Sequence, residues 1–383
     1  MTDLTAVNAW TARLWATTDE VELSRHQTPT NLGRIRTAAL DGATEAVRPE
    51  YVPVPPDHVA RLADMAEQLE GEDAPFVDLV TQSLDSTLGF ARALSDRAAD
   101  AITAFGVAEY GTPTPELVAH AEAVLAAPAA NDPTDDPTDE RERATAIDAT
   151  ALADLVDRVL AWMGVRGWTA IVRERSIARM AVASSAREVR IRADSTFSAA
   201  QLPGLIVHEV GTHVLRADEG SRQPLHMLAR GLPGYLETEE GLATHHEAQV
   251  DPRPKRLRTF ALRVLAADAA LSGGLADVMA RLTDHVNPAT AFPIAIRSKR
   301  GMADLTVPGS PLKDVVYLRG LRSVGDHLAD HPHDHPLLMA GKLGLPHLDL
   351  ARRLQADGLL TTAEPRVKEL QDAVRAAVPP WVG

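Results

Sequence analysis

The sequence predicts a predominantly helical α+β fold, on three observations. Of 383 residues, 45% are hydrophobic but only 4% aromatic, so the core must be built from Ala, Leu and Val, which favours helices over sheet sandwiches. Apolar residues recur at helical spacing through much of the chain, as at Val59, Leu62, Met65 and Leu69. Between residues 168 and 192 the period shifts to partial alternation, which marks a small sheet.

Taken in order, residues 1 to about 55 are mixed and end in the proline-rich 52–56; two or three helices follow from Asp57 to about Ala104. Residues 127–143 are acidic, punctuated by proline and free of large apolar side chains, which reads as a linker or loop. The expected division is therefore a helical N-terminal region at 1–127, a linker at 128–146 and a second region at 147–383. An amphipathic helix is expected over Ala149 to Met163, then short strands at 168–173, 180–183 and 188–192. Helix returns from Thr259 to Leu282, and the tail from Leu312 to Val378 is mostly helical, broken at the histidine- and proline-rich 331–336.

Composition removes several function classes. Lys plus Arg number 39 against 53 Asp plus Glu, a net charge of −14 that disfavours nucleic acid and anionic membranes. With no cysteine, thiolate zinc sites and cysteine nucleophiles are excluded, and any metal must be held by His, Asp or Glu. No signal peptide and no apolar run of ~18 residues is seen, so a cytoplasmic protein is expected. Ala and Arg usage suggests a GC-rich bacterial source.

Residues 198–216 carry the chemistry. Ser198 and Gln201 form a capping-box pattern, flanked by Phe197 and Leu202 at staple positions, so a helix is expected to start at Ser198. Inside its apolar stretch lie His208, Glu209 and His213, whose burial is costly without partners. The common zinc-hydrolase spacing of histidines is i, i+4; here it is i, i+5, and on a regular α-helix the two would diverge by roughly 140°. One inserted residue in a π-turn realigns them, and Gly211 permits the distortion. A second helix, capped by Thr238, brings Glu240 as a third ligand. Two His and one Glu leave a position open, as in catalytic zinc sites, and Glu209 is placed to take a proton from water there.

The run from His208 to Arg216, followed by Thr238-Glu239-Glu240-Gly241-Leu242-Ala243, resembles the microtubule-associated tyrosine carboxypeptidase family and its bacterial Gln-Glu-Gly-Leu-Ala relatives. The likeness extends over roughly Val189 to Gly325, through Gln223-Pro224, Pro308-Gly309 and 313–320. It implies a gluzincin-like metallopeptidase with one Zn2+ per chain on His208, His213 and Glu240, and Glu209 as general base and acid. It also implies release of a C-terminal aromatic residue from a peptide or protein, tyrosine from tubulin in the animal members. Position 239 is Glu where the bacterial motif has Gln, so two adjacent carboxylates compete; Glu240 is chosen because related glutamate zincins use the Glu before Gly-x-Ala. A chain of net charge −14 would be repelled by an acidic tubulin tail.

Further candidates carry bland readings beside the functional ones. Arg216 suits an ion pair within the fold or a substrate carboxylate. Lys313 and Arg319 are candidates for that carboxylate and Tyr317 for an oxyanion donor, against ordinary surface or packing roles. His245, His246 and Glu247 are candidates for orienting the ligands, with His245 or His246 otherwise a solvated helix residue. His331, His333 and His335 read as an exposed turn. The expected function is a zinc metallocarboxypeptidase; the alternatives are an aminopeptidase or endopeptidase with the same centre, or a non-catalytic scaffold.

Overall fold

The computed structural model describes residues 2–127, 146–174, 178–251 and 255–376. Helix dominates and the sheets are small. The expected linker at 127–143 lies, apart from Ala127, outside the described residues. No helix among those described is long and apolar enough to cross a membrane. The chain forms two compact units, one of residues 1–8, 134–253 and 320–383, the other of 9–133 and 254–319.

The first unit is built on a small sheet. Strands β1 (Ile147–Asp148), β2 (Thr169–Arg173), β3 (Met180–Ala183), β4 (Glu188–Arg192) and β5 (Thr196–Phe197) pair as β1-β5 and as β2-β4-β3. Strand β4 runs parallel to β2 and antiparallel to β3, with Ala170 opposite Val189 and Met180 opposite Ile191. Alternation along β4 points Val189 and Ile191 inward, where both are fully buried with Leu152, Val156 and Val159 of the helix Ala149–Trp162. That helix is capped by Asp148, whose carboxylate accepts from Ala151 N, and tied to β2 by Asp157, which accepts from Ala170 N at 2.7 Å. The same apolar cluster takes in Leu205, Ile206, Val207, Val210 and Val214, so the sheet and its helix form the bed of the histidine segment.

That segment starts four residues later than its capping box suggests. The helix begins at Leu202, not Ser198. Half of the box forms, Gln201 Oε1 accepting from Ser198 N at 3.3 Å, while the Ser198 hydroxyl is buried without a partner. Pro203 explains the difference: a helix started at Ser198 would place its ring against the carbonyl of Ala199, whereas in the first turn its missing N–H costs nothing. The second expected helix also differs at its start. It spans Leu236–Ala248, and Thr238, instead of capping it, accepts a hydrogen bond from Leu345 N.

The second unit is helical. Of the two or three helices expected after Asp57, three form, Pro56–Leu69, Val77–Asp96 and Ala99–Tyr110, with Leu62, Met65 and Leu69 buried on the first. Lys255–Ser272 packs its Phe260, Ala261, Val264 and Leu265 against Leu117, Ala121 and Leu125 of Pro115–Ala126. Leu275–Thr283 follows after a break at Gly273 and Gly274, where an added Cβ at Gly274 would lie 2.4 Å from the Thr306 carbonyl oxygen. Fully buried Lys299 extends its ammonium to the carbonyls of Ala270, Gly273, Val307 and Gly309, which replaces the water it gave up.

Candidate metal centre

One continuous helical segment carries the two histidines: α-helix Leu202–His208, π-helix Glu209–Val214, then α-helix Leu215–Gly220. The wide turn answers the i, i+5 spacing. It brings the rings of His208 and His213 to 5.0 Å between centroids, at 75°. Gly211 has a second reason to be there, in packing. A Cβ added to it would lie 3.1 Å from Val367 Cγ2 and 3.2 Å from Leu370 Cδ2, on the helix Val367–Arg375 that closes over the turn.

A carboxylate fixes the orientation of each imidazole. His208 Nδ1 lies 3.0 Å from Glu247 Oε2, and His213 Nδ1 lies 2.8 Å from Glu239 Oε1. An ionised carboxylate only accepts, so each Nδ1 donates, which leaves Nε2 as the atom of each ring available to bind a metal. Both Nε2 atoms face Glu240, whose Oε2 is 3.9 Å from each. The three atoms lie within 4.8 Å of one another, the one such group of at least three among the described residues. Three acceptors turned toward a common point repel unless a cation sits among them. Two imidazole nitrogens and one carboxylate oxygen are a donor set suited to zinc.

Adjacent residues on a helix point about 100° apart, which separates the roles of Glu239 and Glu240. Glu239 turns away from the Nε2 atoms into the fold. It is 2% exposed, ion-paired to Arg216 and, at 2.7 Å, to Lys342 Nζ. Burial pushes its carboxyl up, but Lys342, Arg216 and His213 together hold it well below the usual range. Burial likewise pulls the His213 imidazole down, but the Glu239 carboxylate that accepts its hydrogen, together with the charges of Glu240 and Glu209, raises it. Lys342 is pinned by backbone bonds on both sides, Lys342 N to Leu228 O and Leu232 N to Lys342 O.

Arg216 belongs to this buried pair and not to a substrate pocket. Its Nε donates to Leu338 O at 2.9 Å, its Nη2 to Leu343 O at 2.5 Å and its Nη1 to Glu239, with the side chain fully buried. Glu247 takes the ligand-orienting role read for it from sequence. Room for it comes from Gly204, where an added Cβ would lie 3.0 Å from Glu247 Cγ.

His246 is buried and spans between Thr212 Oγ1 and His335 Nε2, each at 2.8 Å, while Gln371 Nε2 donates to its carbonyl. Burial first, then neighbouring positive charge, holds its imidazole well below the ordinary value, and burial moves His335 down to about 4. His335 is thus half-buried in a chain of hydrogen bonds ending on the π-turn, while His331 and His333 are exposed as expected. His245 points the other way, to Gln249.

Glu209 sits in the π-turn between the two ligand positions, 7% exposed, and its carboxylate accepts no hydrogen bond among the described residues. Lys313, Tyr317 and Arg319 lie in the second unit. Tyr317 stacks on Phe260 at 5.1 Å, Arg319 donates to Tyr110 O at 2.6 Å, and Lys313 is exposed. Sequence reasoning missed Lys342 and Thr212. Lys342 lies over 100 positions from Arg216, in a stretch without motif, so no spacing announces it.

A family model described as microtubule-associated tyrosine carboxypeptidase matches residues 44–378, a span that includes the whole site. The chain belongs to this family. Among curated relatives, human microtubule-associated tyrosine carboxypeptidase 1 is 34% identical over 157 residues, 39% of this chain and 33% of the relative. The mouse protein of that name is 33% identical over 157 residues, again 39% and 33%. Human putative tyrosine carboxypeptidase MATCAP2 is 32% identical over 178 residues, 45% of this chain and 33% of the relative. The chain therefore aligns with about a third of the length of these family members.

Proposed function

We propose that this chain is a gluzincin-type zinc metallocarboxypeptidase, holding one Zn2+ and releasing a C-terminal aromatic residue, Tyr or Phe, from a peptide or protein in the cytoplasm. The observation that carries the reading is the convergence of His208 Nε2, His213 Nε2 and Glu240 Oε2 beside the buried, unbonded carboxylate of Glu209. Zinc bound there would supply Lewis acidity to a water and to the scissile carbonyl. Glu209 accepts the proton of the attacking water and returns it to the leaving amine nitrogen, a role open to a carboxylate that bonds nothing else. Glu239 and Glu247 keep both imidazoles in the tautomer that leaves Nε2 unprotonated, and Arg216 and Lys342 keep Glu239 ionised. The names of the relatives support tyrosine as the released residue. The net charge of −14 favours substrates without a long acidic tail.

The test is an unblocked peptide ending in Tyr or Phe, compared with its C-terminal amide, on zinc-loaded protein. Cleavage of the free acid alone is expected, because amidation leaves the group that receives the carboxylate unpaired. Equal cleavage of both would indicate an endopeptidase, trimming from the other end an aminopeptidase, and no cleavage a scaffold. Glu209→Gln keeps the shape and removes the base. It should retain stoichiometric zinc and lose roughly 10²–10⁴-fold in turnover. Unchanged turnover would remove Glu209 from the mechanism.

A further inference from the structure

Helix Leu236–Ala248 grips the π-turn at three places, and only two of them are the ligand histidines. Glu239 accepts from His213 and Glu247 from His208, while His246 Nδ1 meets Thr212 Oγ1 at 2.8 Å. Thr212 is fully buried, and so is His246 at 1% exposure. The Thr212 hydroxyl also reaches Val207 O, at 3.4 Å and five residues back. A threonine on a regular α-helix reaches instead the carbonyl three or four residues back, here that of Glu209 or His208. The amide of Leu215 likewise donates five residues back, to Val210 O. The contact between Thr212 and Val207 therefore exists only while the turn is wide.

The chain of hydrogen bonds goes on to His335, whose Nε2 lies 2.8 Å from His246 Nε2. Burial keeps both imidazoles neutral at neutral pH, so each carries one donor and one acceptor. Thr212 has one hydroxyl proton, and Val207 O can only accept. All three bonds therefore form together in a single order: His335 Nε2–H to His246 Nε2, His246 Nδ1–H to Thr212 Oγ1, and Thr212 O–H to Val207 O. Without the His335 proton, His246 can exchange its tautomer, and the Thr212 proton then turns to His246 and leaves Val207 O. Val207 directly precedes His208 and Thr212 directly precedes His213, so this last bond ties the two ligand positions to each other across the turn.

We propose that Thr212, His246 and His335 are positioning residues whose hydrogen-bonded chain holds the π-turn in register, so that His208 and His213 are aligned before a metal arrives. The inference rests on the metal-centre reading and adds to the two orienting carboxylates a third hold, on the turn itself. Donors that are already aligned bind without the cost of being ordered, so the chain acts on metal affinity through geometry alone.

Thr212→Val keeps the size and branching of the side chain and deletes the hydroxyl, Thr212→Ser keeps the hydroxyl, and His335→Phe keeps a ring and deletes the donor. Three quantities are measured on wild type and variants: zinc affinity by competition with a chromophoric chelator, the visible spectrum of the Co2+-substituted protein, and amide hydrogen exchange of the metal-free protein. Expected for Thr212→Val and His335→Phe are zinc affinities lower by roughly 10–100-fold, as for other groups that orient ligands. Their cobalt bands should weaken or shift, and the amides of 209–215 should exchange faster while those of the helix Ala149–Trp162 stay protected. Thr212→Ser should stay within about threefold of the wild-type affinity. Wild-type affinity and cobalt spectrum in both Thr212→Val and His335→Phe overturn the proposal. So does faster exchange spread evenly through Ala149–Trp162, which would reduce the chain to ordinary core packing. If Thr212→Val does not fold, His335→Phe, at a half-buried position, decides. A wild type that binds no zinc refutes the metal-centre reading, and exchange across the turn then decides the role of the chain alone.

Discussion

Glu239 and Glu240 are neighbours in sequence with opposite environments, and the contrast shows what two consecutive carboxylates do on one helix. Glu240 faces two lone pairs at 3.9 Å and is ion-paired to no Arg or Lys among the described residues; Glu239 is enclosed by Arg216, Lys342 and His213. Their substitutions should therefore fail differently. Glu239→Gln leaves two buried cations short of their counter-charge, and breaking such a pair costs about 3–5 kcal/mol in stability. It also releases His213 from its orienting acceptor, which lowers zinc affinity roughly 10–100-fold. Glu240→Gln removes one of three ligands and should lose zinc more completely, while costing little stability in chelator-treated protein, because no cation is orphaned. Urea unfolding in chelator and competition with a zinc indicator separate the two; tight zinc in Glu240→Gln with loss in Glu239→Gln would exchange their roles. The sequence made His208, His213 and both glutamates legible, because ionisable groups in an apolar helix demand partners. It did not make Arg216's duty legible, since an arginine fork suits a buried carboxylate and a substrate carboxylate equally well. Lys342 was hidden because its relation to the site depends on tertiary contact alone.

At the scale of elements, the i, i+5 spacing announces a π-turn and the structure contains one at Glu209–Val214. What spacing cannot supply is the packing around it. Helix Val315–Asp330 passes the glutamate helix at Gly241 and Gly320: a Cβ on Gly241 would lie 2.3 Å from Gly320 O, and one on Gly320 would lie 2.1 Å from Glu237 O. The obstacle is backbone on both sides, so neither can yield by a side-chain rotation. Gly241→Ala should then push the helices apart, costing about 1–3 kcal/mol or more and displacing Glu240 with them. Gly211→Ala meets only the ends of Val367 and Leu370 side chains at 3.1 and 3.2 Å. Those can shift, and alanine recovers up to about 1 kcal/mol of helix propensity, so the two effects nearly cancel. Thermal unfolding with zinc affinity for each variant is the measurement, and equal losses in both would show that the helix crossing is not the constraint. The misjudged start at Ser198 teaches the same lesson in miniature. A capping pattern is local, and Pro203 five residues on decides whether it can be used.

At the scale of the whole molecule, each unit gathers stretches that are distant in the chain; one crossing, at 133–134, falls in the acidic, proline-rich 127–143, but those after residues 8 and 319 carry no mark in composition. The helical character and the small sheet were legible because periodicity is a local signal, whereas membership of a unit is a property of long-range contacts. The same long-range contacts set the response to acid. In the second unit Asp314 is 8% exposed and held by Arg297 through Nε at 2.6 Å and Nη2 at 2.5 Å. Burial pushes its carboxyl up, but Arg297, Arg263 and Arg300 pull it far below the ordinary 3.8. A carboxyl lowered on folding binds fewer protons in the native state, so its contribution is complete above the unfolded value and is lost as pH falls through the folded one. The surface works in the opposite sense: protonating exposed histidines brings the net charge of −14 toward zero and relaxes self-repulsion. Stability should therefore hold or rise from pH 7 to about 5 and fall below about 4, where paired carboxylates must be protonated. Asp314→Asn isolates the first effect. It should cost about 2–3 kcal/mol at neutral pH, because Arg297 is left half-buried beside a neutral amide, and its deficit should shrink as pH drops below 3.8. Urea unfolding of both proteins at pH 7, 5, 4 and 3 reads the gap; a gap that stays constant would mean that Asp314 is no more acidic in the fold than in the unfolded chain.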